Sequence, residues 1–175
     1  MKPFSTAWIA LAASLAGCQT IDEMGTTSLG QTKLRTADGT PAGTARLIAS
    51  GSDVNVTITL SGLSPGTHGV HLHMTGSCTP PDFTSAGGHL NPGGQAHGFD
   101  NPRGVHLGDL PNAVVGPAGD GSVSFTLRGT AQEVLPQIFD ADGTAVVVHA
   151  TADDYQTDPA GNSGARLACG VLERG

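Results

Sequence analysis

The stretch Val54-Asn55-Val56-Thr57-Ile58-Thr59-Leu60 alternates apolar and polar side chains for seven residues. An alternation with a period of two places every second side chain on the same face of an extended chain. This is the pattern of a β-strand with one face buried and one face in solvent. We therefore predict a half-buried strand here.

Further strands are predicted on both sides of this stretch. Residues 28–37 and 44–50 flank the turn signal Asp38-Gly39, a combination that indicates a β-hairpin. No helical period of any length appears. Later segments bounded by Gly, Pro, Asn or Asp are predicted as strands at 68–74, 122–128, 145–149 and 166–172. Short strands at this spacing predict an all-β sandwich or barrel.

The composition excludes several other classes of protein. The chain has 175 residues, of which 26 are Gly and 11 are Pro, and such a share weakens helix interiors and argues against a helical bundle. Only 13% of the residues are charged, too few for a disordered chain with this Val, Ile and Leu content. The net charge of -7 provides no basic face for nucleic acid, so no nucleic-acid partner is expected.

The N-terminus has the features of an export signal. Lys2 precedes an apolar run over residues 4–16, which is too short for a comfortable membrane span. The run ends in Leu15-Ala16-Gly17-Cys18, which resembles a bacterial lipoprotein signal, in which the Cys becomes the lipidated first residue. The alternative is an ordinary signal peptide cut nearby. We expect a signal peptide at 1–17, a lipidated Cys18 with a flexible tether at 18–30, and one domain at 31–175.

Two further cysteines, Cys78 and Cys169, remain in the exported part of the chain. Two cysteines in an exported protein suggest one disulfide bond. The alternative is a pair of separate thiols.

One long segment lacks any strand-like period. Residues 76–112 are rich in Gly and Pro, and a structureless loop of this length in a compact domain needs something to hold it. A disulfide and a metal ion would both serve. The segment contains the candidate residues Cys78, His89, His97, His106 and Asp109.

The remaining histidines lie in predicted strands. His71 and His73 are two residues apart, so their imidazoles share one face while Val70 and Leu72 point into the core. His149 follows an apolar run at the end of another strand. Imidazole and carboxylate ligands suit zinc or copper. His68 taken singly is expected to be a buried histidine that is hydrogen-bonded to backbone.

The motifs that contain these residues resemble those of a known family, copper/zinc superoxide dismutase, in its exported bacterial branch. The resemblance covers nearly the whole mature chain, and the order and spacing of its motifs are specific. It rests on His68-Gly69-Val70-His71-Leu72-His73, Ser85-Ala86-Gly87-Gly88-His89-Leu90-Asn91-Pro92, Gly104-Val105-His106-Leu107-Gly108-Asp109-Leu110, Val147-Val148-His149-Ala150-Thr151-Ala152-Asp153-Asp154 and Gly161-Asn162-Ser163-Gly164-Ala165-Arg166-Leu167-Ala168-Cys169-Gly170.

The resemblance implies a fold and a set of roles. The fold would be an eight-stranded, flattened Greek-key β-barrel, an immunoglobulin-like sandwich with long metal-binding and active-site loops. The matching positions imply copper ligands at His71, His73, His89 and His149, and zinc ligands at His89, His97, His106 and Asp109. They also imply an outer carboxylate at Asp153 linking His71 and His97, a superoxide-orienting cation at Arg166, and a disulfide between Cys78 and Cys169.

The expected function is dismutation of superoxide to dioxygen and hydrogen peroxide, with copper and zinc as cofactors and with His89 and Arg166 as catalytic residues. The export signal and the lipoprotein-type Cys18 lead us to expect the enzyme in the cell envelope or periplasm, anchored by the lipid to the outer membrane. Two other classes remain open, a non-catalytic copper- and zinc-binding protein and an adhesive β-sandwich, though the latter explains none of the spacing. Both a monomer and a homodimer are compatible with the sequence.

Overall fold

The alternating stretch forms an inner strand of the sheet. Val54, Val56, Ile58 and Leu60 are buried, while the residues between them face outward. This strand pairs antiparallel with a strand on each side, so that Ile58 lies opposite both Ala45 and Val123. The prediction of a half-buried strand is confirmed.

The structure, a computed structural model, describes residues 27–175. The predicted signal, Cys18 and most of the predicted tether lie outside the described residues. Over residues 27–175, ten strands form one antiparallel sheet, and this part of the chain also has one α-helix (α1) and one turn of 3₁₀ helix at Thr84–Ala86. Their bounds are β1 Thr27–Thr36, β2 Pro41–Ser50, β3 Asp53–Leu60, β4 Gly66–His68, β5 Val70–His73, β6 Ala113–Val115, β7 Gly121–Thr126, α1 Ala131–Ile138, β8 Ala145–His149, β9 Arg166–Val171 and β10 Glu173–Arg174.

The strand order closes the sheet nearly into a barrel. The strands follow one another as β4-β6-β7-β3-β2-β1-β9-β8-β5, with β10 paired to β1. The two strands at the ends of this path, β4 and β5, are separated in the chain by Gly69 alone. The ends of the path are therefore joined, and the interior is filled by apolar side chains from most of the strands. The expected all-β barrel is confirmed.

The number of strands differs from the eight that the resemblance implies. The predicted strand at 68–74 is divided at Gly69, because His68 on one side pairs with β6 and Val70 on the other side pairs with β8. Two short strands, β6 and β10, were not predicted, since three and two residues are too few to show a period.

One short helix is present in a stretch where the sequence shows no helical period. Helix α1 begins after a capping box in which Thr130 and Glu133 hydrogen-bond reciprocally. Only Val134 and Ile138 are fully buried, and Pro136 lies inside the helix. Two buried positions over eight residues, with a proline between them, do not produce a detectable helical period.

The long loop at 76–112 contains no strand and is tied to the barrel by a disulfide. Cys78 and Cys169 are bonded, with their Cα atoms 5.7 Å apart, so the predicted bridge is confirmed and the separate-thiol alternative is excluded. Cys169 lies in β9, opposite Val147 of β8. The bridge therefore joins the start of the loop to the part of the sheet that carries His149. Within residues 27–175, no helix has both the length and the apolar character needed to cross a membrane.

Candidate metal centre

Two neighbouring antiparallel strands bring three histidines to one place. His71 and His73 lie two residues apart on β5, and both are buried. β5 pairs with β8, which ends at His149. The ring centroid of His149 is 4.9 Å from that of His71 and 5.6 Å from that of His73. The apolar residues that alternate with the two histidines of β5 belong to the core, as their alternation predicts.

Each of these three imidazoles has one nitrogen held by an acceptor. His71 Nε2 lies 2.8 Å from Asp153 Oδ2, and His73 Nδ1 lies 2.9 Å from the carbonyl oxygen of Gly87. His149 Nδ1 lies 3.3 Å from the carbonyl oxygen of Gly164. A carbonyl or carboxylate oxygen can only accept, so these nitrogens carry the ring protons. The opposite nitrogens are left with free lone pairs.

A fourth histidine, His89, joins them from the long loop. Its backbone pairs with that of His73 in an isolated antiparallel β-bridge. Its ring centroid is 3.9 Å from that of His71. Four buried nitrogens without a hydrogen-bond partner lie within 4.8 Å of one another; these are His71 Nδ1, His73 Nε2, His89 Nε2 and His149 Nε2. We call this set the four-histidine group.

The unpartnered nitrogens show whether a metal ion fits this group. A buried acceptor without a partner costs roughly 1–3 kcal/mol, and four of them at one point would be a large penalty for a purely structural cluster. A cation bound by four imidazole lone pairs removes that penalty, and imidazole is a preferred ligand of copper. The residues therefore fit a copper ion.

A second group shares His89 and faces it from the other side. It consists of His89, His97, His106 and Asp109, which we call the His/Asp group. The Nδ1 atoms of the three histidines lie 2.8, 3.0 and 3.2 Å from Asp109 Oδ1, in the order given. The Nδ1 atoms of His89 and His106 are 3.4 Å apart. Ligands 2.0–2.1 Å from a tetrahedral zinc ion are about 3.4 Å apart, so this set fits zinc.

Asp109 is held firmly by the loop backbone. Its Oδ2 accepts the N–H groups of Gly98 and His106, each at 3.0 Å, which leaves Oδ1 directed at the three imidazoles. Burial alone would raise the pKa of Asp109. The hydrogen bonds from the histidines and from Gly98 outweigh burial and hold that pKa well below its usual range. The carboxyl is therefore ionised and contributes the negative charge of the group.

Asp153 connects the two groups. Its Oδ2 accepts from His71 Nε2, and its Oδ1 lies 2.9 Å from His97 Nε2. Burial opposes ionisation, but the bonds from these two histidines outweigh it and lower the pKa of Asp153. A Cβ on Gly161 would lie 1.8 Å from Asp153 Oδ1, so only glycine lets the loop pass this close. Such an outer carboxylate fixes the tautomer and orientation of both rings.

Burial keeps the four-histidine group neutral. It lowers the pKa of His71 to about 3, of His73 to about 2 and of His149 to about 4. His97 behaves in the opposite way, because hydrogen bonds to Asp109 and Asp153 outweigh its burial and raise its pKa to about 9. A cation that binds His97 Nδ1 therefore displaces a proton, while His71, His73 and His149 offer their unpartnered lone pairs directly.

Arg166 lies beside the four-histidine group. Its Nη1 and Nη2 donate to the carbonyl oxygens of Phe83 and Gly87 at 2.6 and 2.7 Å. Its charge helps to lower the pKa values of His73 and His149, after burial, which is the larger cause. The guanidinium is thus held in one orientation by the long loop, close to the unpartnered nitrogens.

His68 stands outside both groups, as its sequence context predicts. Its Nδ1 lies 2.7 Å from the carbonyl oxygen of His149, and its Nε2 lies 3.0 Å from that of Ser64. Both ring nitrogens are used by backbone. This ring supports the end of β8 and offers no free ligand atom.

Two supporting groups were not predicted from the sequence. Asn112 bonds to the backbone of Asp153 twice, accepting its N–H at 2.8 Å and donating to its carbonyl oxygen at 2.9 Å. The carbonyl oxygen of Gly87 accepts from both His73 and Arg166. A backbone carbonyl has no signature in a sequence, and Asn112 follows Pro111 in what reads as an ordinary turn.

Comparisons with known proteins cover the same part of the chain. A model of the family described as copper/zinc superoxide dismutase (SODC) matches residues 41–172, which include both groups and Arg166. "Superoxide dismutase [Cu-Zn] 2" of Aquifex aeolicus is 41% identical over 146 residues, covering 80% of this chain and 84% of the relative. Two solved structures share the fold. A SOD-like protein from Bacillus subtilis is 38% identical, with a TM-score of 0.77 over 84% of this chain and 100% of the other. The Cu/Zn superoxide dismutase from Brucella abortus is 28% identical, with a TM-score of 0.66 over 85% and 100%.

Proposed function

The chain belongs to the copper/zinc superoxide dismutase family, and on that premise we propose that the four-histidine group holds the copper of this enzyme and the His/Asp group holds its zinc. The enzyme disproportionates two superoxide ions and two protons into dioxygen and hydrogen peroxide. The observation that carries the assignment is the set of four converging, unpartnered nitrogens, one of which belongs to a ring shared with the second group.

Copper, when bound, supplies reversible one-electron transfer, whereas zinc has no redox chemistry. The residues of the chain provide the remaining functions. His89 has Nε2 in the four-histidine group and Nδ1 in the His/Asp group, so its ring stays in place if Nε2 is released. Nε2 would then hold a proton and pass it to the peroxide product, whose second proton would come from solvent.

The proposal is tested by metal analysis together with a dismutation assay. The metal-loaded protein is expected to hold one copper and one zinc per chain and to consume superoxide in pulse radiolysis. A protein with both metals in place but without dismutation would be the non-catalytic metal-binding protein instead, and it would overturn the proposal. The presence of His89 among the ligands and of Arg166 beside them supports catalysis.

Arg166 is proposed to attract and orient superoxide. A fixed cation in a cleft with low-dielectric walls concentrates a small anion. Replacing Arg166 with Glu reverses this charge, so the second-order rate constant should fall by about 10- to 100-fold at low ionic strength, and the rate should lose much of its salt dependence. Stopped-flow or pulse-radiolysis rates between 0.01 and 0.5 M salt measure both effects.

The matched control is Arg128→Glu, which makes the same charge change at an arginine that lies over the ring of Phe99. An Arg166→Glu enzyme with the rate and the salt slope of the wild type would reject steering by Arg166. Equal losses in both variants would show that only the net charge matters.

We further propose that the protein is exported and held in the cell envelope by a lipid on Cys18. The Leu15-Ala16-Gly17-Cys18 sequence supports lipidation, and the Cys78–Cys169 disulfide suits an oxidising compartment such as the periplasm. The outer membrane is the proposed location, since Gln19 rather than Asp follows Cys18. Several acyl chains together anchor a protein stably.

Replacing Cys18 with Ser should release the protein from membranes. We expect the wild-type protein in the membrane pellet and at least 90% of the variant in the soluble envelope fraction, because without the thiol no lipid can be attached. Fractionation and immunoblotting measure the distribution, and labelling with a radioactive fatty acid reports lipidation. A variant that still sediments with membranes would contradict the anchor, and Gln19→Ala serves as the control.

A further inference from the structure

A surface cleft opens directly onto the His/Asp group. It has a volume of about 560 Å³, and its lining includes His89 and His106. These are two of the four residues that we assign to zinc. Arg166 does not line this cleft, which distinguishes it from the surface beside the arginine. The cleft therefore connects solvent with the His/Asp group. It does so away from Arg166, the residue that we propose receives superoxide.

The accessibility of the His/Asp side chains agrees with this position. The side chain of His106 is 6% exposed and that of His89 2%, compared with 1% for Asp109 and 0% for His97. The two ligands that line the cleft are thus the more accessible half of the group. A cation that arrives from solvent through this cleft meets His89 and His106 before the fully buried His97.

The walls of the cleft are acidic. Asp140, Asp142 and Asp158 line it, and within the described residues neither Lys nor Arg does. Asp158 accepts the N–H of His97, and Asp140 accepts the N–H groups of Asp142 and Gly143. These two carboxylates therefore also shape the loops.

Asp142 differs from the other two. Among the described residues, no hydrogen bond or ion pair involves its carboxylate, and the residue is exposed. Its charge is therefore available to act on ions in solution. A divalent cation feels each such charge twice as strongly as a monovalent ion does.

We propose that this cleft is the entrance through which Zn²⁺ reaches the His/Asp group, with Asp142 drawing the cation in electrostatically. The inference rests on the proposed assignment of zinc to that group. It implies that the cation and the anion approach by different routes. Zn²⁺ enters past carboxylates, and superoxide is received at Arg166. Such steering acts on the rate of association and leaves the bound state unchanged.

The rate of zinc loading tests the entrance. Metal-free, disulfide-bonded protein is mixed with Zn²⁺ in a stopped-flow instrument, and a chromophoric zinc indicator reports the free ion. Replacing Asp142 with Lys should slow association about five- to tenfold at 0.01 M salt, and the difference should nearly vanish at 0.5 M salt because of screening.

Gln137 is a neutral exposed residue of the same cleft, where a negative charge can be added instead of removed. A Gln137→Glu variant should load about two- to fourfold faster at low salt.

Asp120→Lys is the matched control, because Asp120 is exposed and does not line this cleft. It should load at the wild-type rate. If Asp142→Lys and Gln137→Glu both load like the wild type at low salt, or if Asp120→Lys slows loading equally, the entrance is refuted. The zinc content at equilibrium and the dismutation rate of the fully loaded variants test the zinc assignment separately, and both should equal those of the wild type.

Discussion

Replacing His89 with Ala is expected to lower the rate of dismutation per bound copper by at least about 100-fold, the lower end of what a positioned acid–base group contributes. His89 is the one ring with a ligand atom in each group. Its removal leaves three imidazoles, His71, His73 and His149, for copper, but it deletes the nitrogen to which we assign the proton transfer. The zinc group is reduced to three ligands at the same time, so zinc should be held more weakly.

The measurement is pulse radiolysis on variant protein whose copper content has been determined, so that loss of metal is not mistaken for loss of turnover. His68→Gln is the appropriate control, because it also alters a buried histidine, one whose nitrogens are both bonded to backbone. Its dismutation rate per copper should stay within about threefold of the wild type, as expected for a residue outside the reacting centre. A His89→Ala enzyme within tenfold of the wild-type rate per copper would remove His89 from the proton path.

Replacing Asp109 with Asn should weaken zinc binding by at least about 100-fold. Loss of a group that merely supports a ligand costs 10- to 100-fold in affinity, and Asp109 is itself a proposed ligand, the only anionic one of its group. The amide has nearly the same volume but no charge. It also directs either a neutral oxygen or an N–H donor at three imidazole nitrogens that now surround a carboxylate oxygen.

Competition with a chromophoric chelator measures zinc affinity, and the copper content of the same sample shows whether the four-histidine group survives. Copper should be retained, because Asp109 supplies no atom to that group. Asp100→Asn makes the same change at an exposed residue of the same loop and should bind zinc normally. Zinc affinity of Asp109→Asn within threefold of the wild type would show that another oxygen completes the site.

The sheet was predictable to the extent that its strands are long enough to show a period. The alternation at 54–60 and the Asp38-Gly39 turn predict β1 to β3 to within a few residues, because local pattern and tertiary burial agree there. The three-residue strand β6 and the eight-residue helix α1 were missed because both are too short to show a period, and Pro136 further obscures the pattern of the helix.

The identities of the site residues came from the resemblance, whereas their geometry did not. Spacing alone gives no reason for His71 to present Nδ1 and His73 to present Nε2. That choice depends on which nitrogen of each ring lies beside an acceptor, the Asp153 carboxylate for His71 and the Gly87 carbonyl for His73. Asn112 was missed on the same grounds, since it acts on the backbone of Asp153 across 41 positions of sequence. Such contacts are fixed by the folded loops and leave no local signal.

The shared carbonyl of Gly87 has a consequence for how this enzyme can evolve. One oxygen sets the tautomer of His73 and helps to orient Arg166, so a change in the backbone at this point would alter the proposed copper ligand and the proposed superoxide guide together. The residue has a φ of +73°, and a Cβ there would lie 2.9 Å from Met74 Cγ, so substitution at Gly87 itself is strained. On the proposed assignment, the tuning of the metal and the recognition of the anion therefore change together. A designer who wished to change either would have to work from Arg166 or from the copper ligands and leave this peptide untouched.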